Sequence, residues 1–319
     1  ESRPIWFVYS GMGSQWASMA KDLMVFDTFK KTIHRCCEIL RPEGLDLMEV
    51  LTRSTEKTFE NILNSFVGIA AMQVALTDLL TSLNIVPDGI VGHSVGEVAC
   101  AYADGCLSME QTILAAYWRG KSILDTKLTK GKMAAVGLSW EEAHKRLPAD
   151  CFPACHNSAE NCTISGPEES IDAVCQKLTA EGVFARAVKS SGYAFHSKYI
   201  ADAGPKLRKS LEKVIPNAKN RSPRWISSSI PEVAWNTAIA QQASAAYHVN
   251  NLLSPVLFHQ ALQHVPKNAI CIEVAPTGLL QAILKRSLGN ETTNLSLIKR
   301  DYENNPEFFL ASIGKLYAA

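Results

Sequence analysis

The sequence predicts an α/β fold carrying a second, inserted unit of ferredoxin-like βαββαβ order. Three observations carry this. A short apolar strand at 5–9 runs into a glycine-rich turn, another at Ile90-Val91 runs through a glycine-flanked turn into a helix, and between 133 and 188 the elements alternate β, α, β, β, α, β. With 319 residues, 47% hydrophobic and 20% charged, the chain is long enough for one large or two unequal domains with a substantial core.

In chain order, Ile5-Trp6-Phe7-Val8-Tyr9 forms the first strand and Ser10-Gly11-Met12-Gly13-Ser14 a turn whose backbone can approach a ligand closely. Between 58 and 83, Phe59, Ile62, Phe66, Ile69, Met72, Leu76 and Leu80 recur at helical spacing, as one long helix or two broken near Gly68. Pro87-Asp88 interrupts the pattern before the Ile90-Val91 strand; beyond Ser94 a helix through Val98, Ala99, Tyr102 and Ala103 ends at Gly105. Ser108 and Gln111 make a capping box for the next helix, which places Arg119 on rigid structure.

The inserted unit is expected as strand 133–138, a short helix capped by Ser139 and Glu142, strands 152–157 and 163–165, helix 168–181 and strand 184–188. The expected division is therefore 1–128 for the first part of the large α/β domain and 129–193 for the small one. Residues 194–319 complete the large domain and add a C-terminal segment. A helix at 203–214, irregular polar segments, the strand Ile270–Val274 and a helix at 279–288 fill that last part. A small unit leaning over a larger one makes a cleft at their junction.

The charge balance excludes several function classes. Thirty-two basic and 31 acidic residues leave +1 with no long single-sign run, which argues against nucleic-acid and membrane-surface binding. Nine cysteines, an odd number including the pair Cys36-Cys37 and no CxxC, point away from a disulfide framework or structural zinc and toward a reducing, cytoplasmic compartment. No stretch reads as long and charge-free enough to span a bilayer. The chain starts at Glu1 and enters a strand almost at once, as expected of a domain cut from a longer polypeptide.

The chemistry centres on Gly92-His93-Ser94-Val95-Gly96, a GxSxG string in a strand-to-helix setting. The flanking glycines let a serine occupy a sharp, strained turn that exposes its hydroxyl. A serine needs a base, and histidine titrates in the right range. Of eight histidines, His93 points elsewhere on such a turn, while His34, His144, His248, His259 and His264 lie in helix-like or loop segments. His156 ends a strand of the small unit, and His196 stands where that unit rejoins the large one, facing the cleft. An acyl-transfer oxyanion is best met by backbone N–H groups. Val95 supplies one, and the loop at Met12 is the best source of a second.

Gly11-Met12-Gly13-Ser14-Gln15, GHSVGEVACAYADG from Gly92, AAYWRG ending at Gly120, YAFHS from Tyr193, NNLLSPV from Asn250, EVAP at Glu273 and the FFLASIGKL tail resemble, in order and along the whole chain, the malonyl/acetyl transferase domain of animal fatty acid synthase or a related animal polyketide synthase. The resemblance implies a hydrolase-like α/β core with a parallel sheet and a ferredoxin-like insert. It also implies Ser94 as nucleophile, His196 as base, Arg119 as clamp on the free carboxylate of malonyl, and the amides of Met12 and Val95 as oxyanion hole. It implies further that no side-chain carboxylate completes a triad and that a backbone carbonyl around Asn251 orients the imidazole instead.

The implied substrates are malonyl-, acetyl- and methylmalonyl-CoA, the acceptor is the phosphopantetheine of an acyl carrier protein, and the other partners are neighbouring synthase domains. No cofactor of its own is implied. A guanidinium suits a malonyl carboxylate through two parallel charge-assisted bonds, whereas a plain esterase has no use for it. Phe66 and Phe195 are expected to line the acyl pocket with Tyr193. In modular polyketide synthases HAFH accompanies malonyl and YASH methylmalonyl; the mixed YAFH here leaves a methylmalonyl-selective domain of an animal polyketide synthase as the alternative. A serine hydrolase of the α/β family, drawing its acid from Asp104, Asp125, Asp150 or Asp172, is the more remote rival, and a catalytically silent docking module the non-enzyme one.

Overall fold

A computed structural model describes residues 2–319. Its strands are β1 (Ile5–Tyr9), β2 (Gly89–Gly92), β3 (Gly131–Val136), β4 (Phe152–Ser158), β5 (Asn161–Pro167), β6 (Ala185–Val188), β7 (Trp225–Ile226), β8 (Ile270–Val274) and β9 (Thr293–Ser296). They form two sheets. The larger has the order β7-β2-β1-β8-β9 with every pair parallel, and the smaller has the antiparallel order β4-β5-β3-β6.

Alternation along β1 explains why the parallel sheet is covered on both faces. Phe7 and Tyr9 enter a core shared with helix Asp27–Leu40, while Trp6 and Val8 enter a second core shared with helices Gly204–Val214 and Ala245–Leu253. Helix Ile62–Ser82 feeds both cores, sending Val67, Met72 and Leu76 to the first and Ile62, Phe66 and Ile69 to the second. Its buried Gln73 donates to the carbonyls of Ser10 (2.6 Å) and Val274 (3.1 Å), tying together the ends of β1 and β8. Glu273 accepts from Ser10 Oγ and from the amides of Leu279 (2.7 Å) and Leu280 (3.0 Å), which fixes the turn after β1 against the segment after β8. The small sheet packs helix Glu168–Ala180 on a third core of Ala134, Val136, Ile164, Ile171, Val174 and Leu178.

Several expectations shift in detail. The helix at 58–83 is unbroken from Ile62 to Ser82 after a separate 3-10 turn at Glu56–Glu60. Gly68 serves close packing there, since a Cβ would meet Met19 Cε at 2.9 Å. That helix also corrects the reading that no stretch could cross a bilayer. The helix has 21 residues and its most apolar 18-residue window has a mean hydropathy of 1.5, but 83% of that window is buried inside the protein, as suits a core helix. The region read as irregular beyond 214 holds β7 and helix Ala245–Leu253, and β9 and helix Asn305–Ala318 complete the chain.

The turn after β2 depends on the missing side chain of Gly96, where a Cβ would lie 2.1 Å from the Tyr9 carbonyl oxygen. Gly314, inside the last helix, has nothing within 4 Å of such an atom. Gly96→Ala is expected to destabilise by more than about 2 kcal/mol, and Gly314→Ala to stabilise by about 0.5–1 kcal/mol, in urea denaturation. Equal effects would contradict this account of the turn.

Candidate active site

Ser94 sits between β2 and helix Gly96–Ala103 with φ +57°, the left-handed conformation that the glycine-flanked turn imposes on it. His196 also has a positive φ, +59°, in the loop after β6. That loop is pinned from the small sheet: Ser165 Oγ of β5 donates to the Phe195 carbonyl at 2.6 Å, and Gly131 N of β3 to the Gly192 carbonyl at 2.9 Å. The two sheets thereby bring Ser94 Oγ and His196 Nε2 to 2.7 Å.

His196 Nδ1 lies 2.8 Å from the Ser254 carbonyl, which can only accept, so Nδ1 carries the proton and Nε2 is free to accept from Ser94. This corrects the expected orienting group: Ser254, not Asn251, supplies the nearest carbonyl, with that of Asn251 a weaker second neighbour. The reason is local. Helix Ala245–Leu253 ends in an extended Ser254 (ψ 159°), whose carbonyl turns out of the helix direction. The strip that follows is held on β4, with Val256 N donating to Ala154 O and His156 N to Val256 O. Asp104, Asp125, Asp150 and Asp172 are engaged by Ser222, Lys121, Ser170 and Lys132, so none of them reaches the imidazole.

Burial holds His196 down to about 3, with the charge of Arg119 adding to the shift, so the ring is neutral at physiological pH. Arg119 is itself buried at 2% exposure. Its Nη1 donates to Asn251 Oδ1 at 2.6 Å and its Nη2 to Ser94 Oγ at 3.2 Å, while Nε has no partner among the described residues. Burial lowers its pKa to about 9, and Glu97 pulls the other way; the guanidinium stays charged. The Phe66 ring lies 5.1 Å from the guanidinium carbon, Phe195 stands 6.0 Å from Phe66, and Tyr193 lies 5.7 Å beyond Phe195.

The Met12 turn abuts the elbow, since a Cβ on Gly11 would fall 2.8 Å from the His93 carbonyl oxygen and 3.5 Å from Ser94 Cβ. Neither Met12 N nor Val95 N donates to a protein acceptor among the described residues. A cavity of about 320 Å³ opens over Ser94 and His196. Met12, Phe66 and Phe195 wall it on the large side, Met133 and Val188 from the small sheet, and Leu279 and Ile283 from the other flank. His93 turns away from Ser94, its Nε2 2.8 Å from Asn157 Oδ1, which bridges the two sheets. His156 stacks on Trp140 away from the site.

Sequence reasoning missed Glu97. Fully buried one turn beyond Ser94, it accepts from Trp225 Nε1 (2.9 Å), Tyr247 Oη (2.7 Å), Ser229 Oγ and Asn251 Nδ2 (3.3 Å). The signal was an acid inside an otherwise apolar stretch, Val95 to Ala101, at the start of a core helix.

The same burial affects stability. His248 is also held at about 3, with both ring nitrogens unpartnered among the described residues. Unfolded, it and His196 take up protons near 6.5. Below that pH the unfolded chain binds more protons, so stability falls as pH drops, by up to about 1.4 kcal/mol per pH unit for each group. Urea midpoints are expected to fall between about pH 6.5 and about pH 5, above most carboxylate titration, and less steeply in His248→Phe. Equal slopes would remove His248 from this linkage.

A model of the acyl transferase domain family matches residues 6–319. The chain is 36% identical over 306 residues to "Reducing polyketide synthase DEP5" of Fusarium langsethiae, which covers 89% of this chain and 13% of that protein. The match to "Highly reducing polyketide synthase srdA" of Neurospora crassa likewise takes in 12% of the relative, so this chain spans a small part of such proteins. Among solved structures, the "Acyltransferase domain of the polyketide synthase PpsC of Mycobacterium tuberculosis" superposes with a TM-score of 0.81 at 27% identity, covering 94% of this chain and 93% of that one. The malonyl CoA-acyl carrier protein transacylase of Coxiella burnetii, at 20% identity and TM-score 0.81 over 99% of each chain, shares the fold. With the family model matched from the first strand to the last residue, the chain belongs to the acyl transferase domain family.

Proposed function

We propose that this domain carries malonyl units, and acetyl or methylmalonyl units beside them, from CoA to the phosphopantetheine thiol of an acyl carrier protein through an ester on Ser94. The observation that carries the reading is Arg119: a buried, charged guanidinium with an unpartnered Nε, its Nη2 3.2 Å from the Ser94 hydroxyl. A buried cation without a bonded carboxylate suits a ligand that brings its own anion, as the free carboxylate of malonyl does.

The chemistry follows from the dyad. His196 Nε2 takes the Ser94 proton as Oγ bonds to the thioester carbonyl carbon, and the Ser254 carbonyl steadies the imidazolium. Negative charge on the carbonyl oxygen falls to the N–H groups of Met12 and Val95. The tetrahedral adduct collapses by breaking the C–S bond, and the CoA sulfur leaves with the proton from His196. In the second half the carrier thiol gives its proton to His196, its sulfur attacks the ester, and Ser94 Oγ leaves and regains the proton. The steps call on no metal or redox cofactor.

The finer placement, in an animal fatty acid synthase or an animal polyketide synthase, rests on the GHSVGEVACAYADG and YAFHS segments. The mixed YAFH keeps methylmalonyl selectivity as the second reading: Tyr193 matches the methylmalonyl pattern and Phe195 the malonyl one, their rings 5.7 Å apart with Phe195 6.0 Å from Phe66. Neighbouring synthase domains complete the proposed surroundings, in the cytoplasm, where nine free thiols are at home.

Intact-protein mass spectrometry after mixing with malonyl-CoA or acetyl-CoA tests the reading. Both adducts are expected on the wild-type chain and neither on Ser94→Ala. Arg119→Ala is expected to lose malonyl labelling about tenfold to a hundredfold more than acetyl labelling. An adduct on Ser94→Ala, or equal losses in Arg119→Ala, would contradict it.

A further inference from the structure

Arg119 owes its availability to an amide. Asn251 stands between it and the buried carboxylate of Glu97: Oδ1 accepts from Arg119 Nη1 at 2.6 Å, while Nδ2 donates to Glu97 Oε1 at 3.3 Å and to Ser229 Oγ at 3.0 Å. Two acceptors on the Nδ2 side fix the sense of the amide, because the flipped form would point N–H groups at a guanidinium that has only N–H groups to offer. Glu97 has its own donors in Trp225, Tyr247 and Ser229 and does not bond Arg119. Its charge nonetheless favours the charged form of the guanidinium.

A carboxylate in direct contact with Arg119 would form the two parallel bonds that a substrate carboxylate needs, and the site would lose its preference for a charged acyl group. A gap in place of the amide would let guanidinium and Glu97 approach each other with the same result. The neutral side chain at this position therefore holds the cation in place and keeps it from its nearest internal anion.

We propose that Asn251 is a specificity-determining positioning residue: a neutral spacer between Glu97 and Arg119 that reserves the guanidinium for the free carboxylate of the incoming acyl group. The proposal rests on the reading of Arg119 as a carboxylate clamp. It assigns to the Asn251 side chain a role independent of the His196 carbonyl contact.

Four variants test it through the ratio of malonyl to acetyl labelling and through KM against kcat for malonyl-CoA, with folding checked by thermal unfolding. Asn251→Ala is expected to lower the ratio about tenfold by raising the malonyl KM, because Arg119 collapses onto Glu97. Adding Glu97→Gln to it removes the internal anion and is expected to restore most of the ratio, which mere structural damage would not do. Asn251→Asp, nearly isosteric, lowers the ratio by placing a carboxylate on the guanidinium and carries the test if the alanine variant does not fold. An unchanged ratio in the folded Asn251 variants, or no recovery with Glu97→Gln, overturns the spacer. Arg119→Ala separates the two readings: if it too leaves the ratio unchanged, the clamp itself fails.

Discussion

A charged guanidinium taken out of water dominates the energetics of this site. Transferring such a cation to the interior costs several kcal/mol unless geometry and partners offset it, and Arg119 is offset only in part. Asn251 accepts from one nitrogen, the Ser94 hydroxyl from another, the Phe66 face lies beneath it, and Glu97 acts from behind the amide. The incomplete compensation leaves a local demand for negative charge beside the serine. It also presses on His196, whose ring burial already holds neutral, so the group proposed to take the Ser94 proton starts empty.

The rest of the structure holds that cation, the hydroxyl and the imidazole within one hydrogen-bonded chain. Ser94 is set by the turn after β2, which only a glycine at 96 permits against the Tyr9 carbonyl. Arg119 comes from helix Met109–Leu124, packed on helix Ile62–Ser82, which also supplies Phe66. His196 is delivered by a loop tied to the small sheet, and its orienting carbonyl by a strip bonded to β4. A shift of the small sheet against the large one would thus move His196 and its bonded carbonyl together, which keeps the 2.8 Å contact between them while the distance to Ser94 changes.

Much of this was legible in the sequence because local signals and tertiary demands coincide. The GxSxG turn, the Ser108–Gln111 and Ser139–Glu142 capping boxes and the βαββαβ order are local patterns, and all appear in the structure. What escaped was long-range. β7 and β9 are short strands whose partners lie 135 and 23 positions away in pairs such as Ile90 with Trp225 and Ile270 with Thr293, too brief to show a period. Gly68 read as a break because its role is to admit Met19, a contact across the core. The carbonyl facing His196 depends on where one helix ends, and a shift of three residues separates Asn251 from Ser254. Glu97 stood in plain view within the elbow motif, but its partners Trp225, Tyr247 and Asn251 lie more than 120 residues away.

The central claim is that Ser94 is activated by an imidazole kept neutral by burial and by the neighbouring guanidinium. Its most direct test is the rate of acyl-serine formation from malonyl-CoA, measured by rapid quench across pH. The account predicts a rate that stays level from about pH 7.5 to about pH 5.5, because His196 holds no proton in that range. A rate that falls with a midpoint near 6.5, the value of an ordinary histidine, would contradict it.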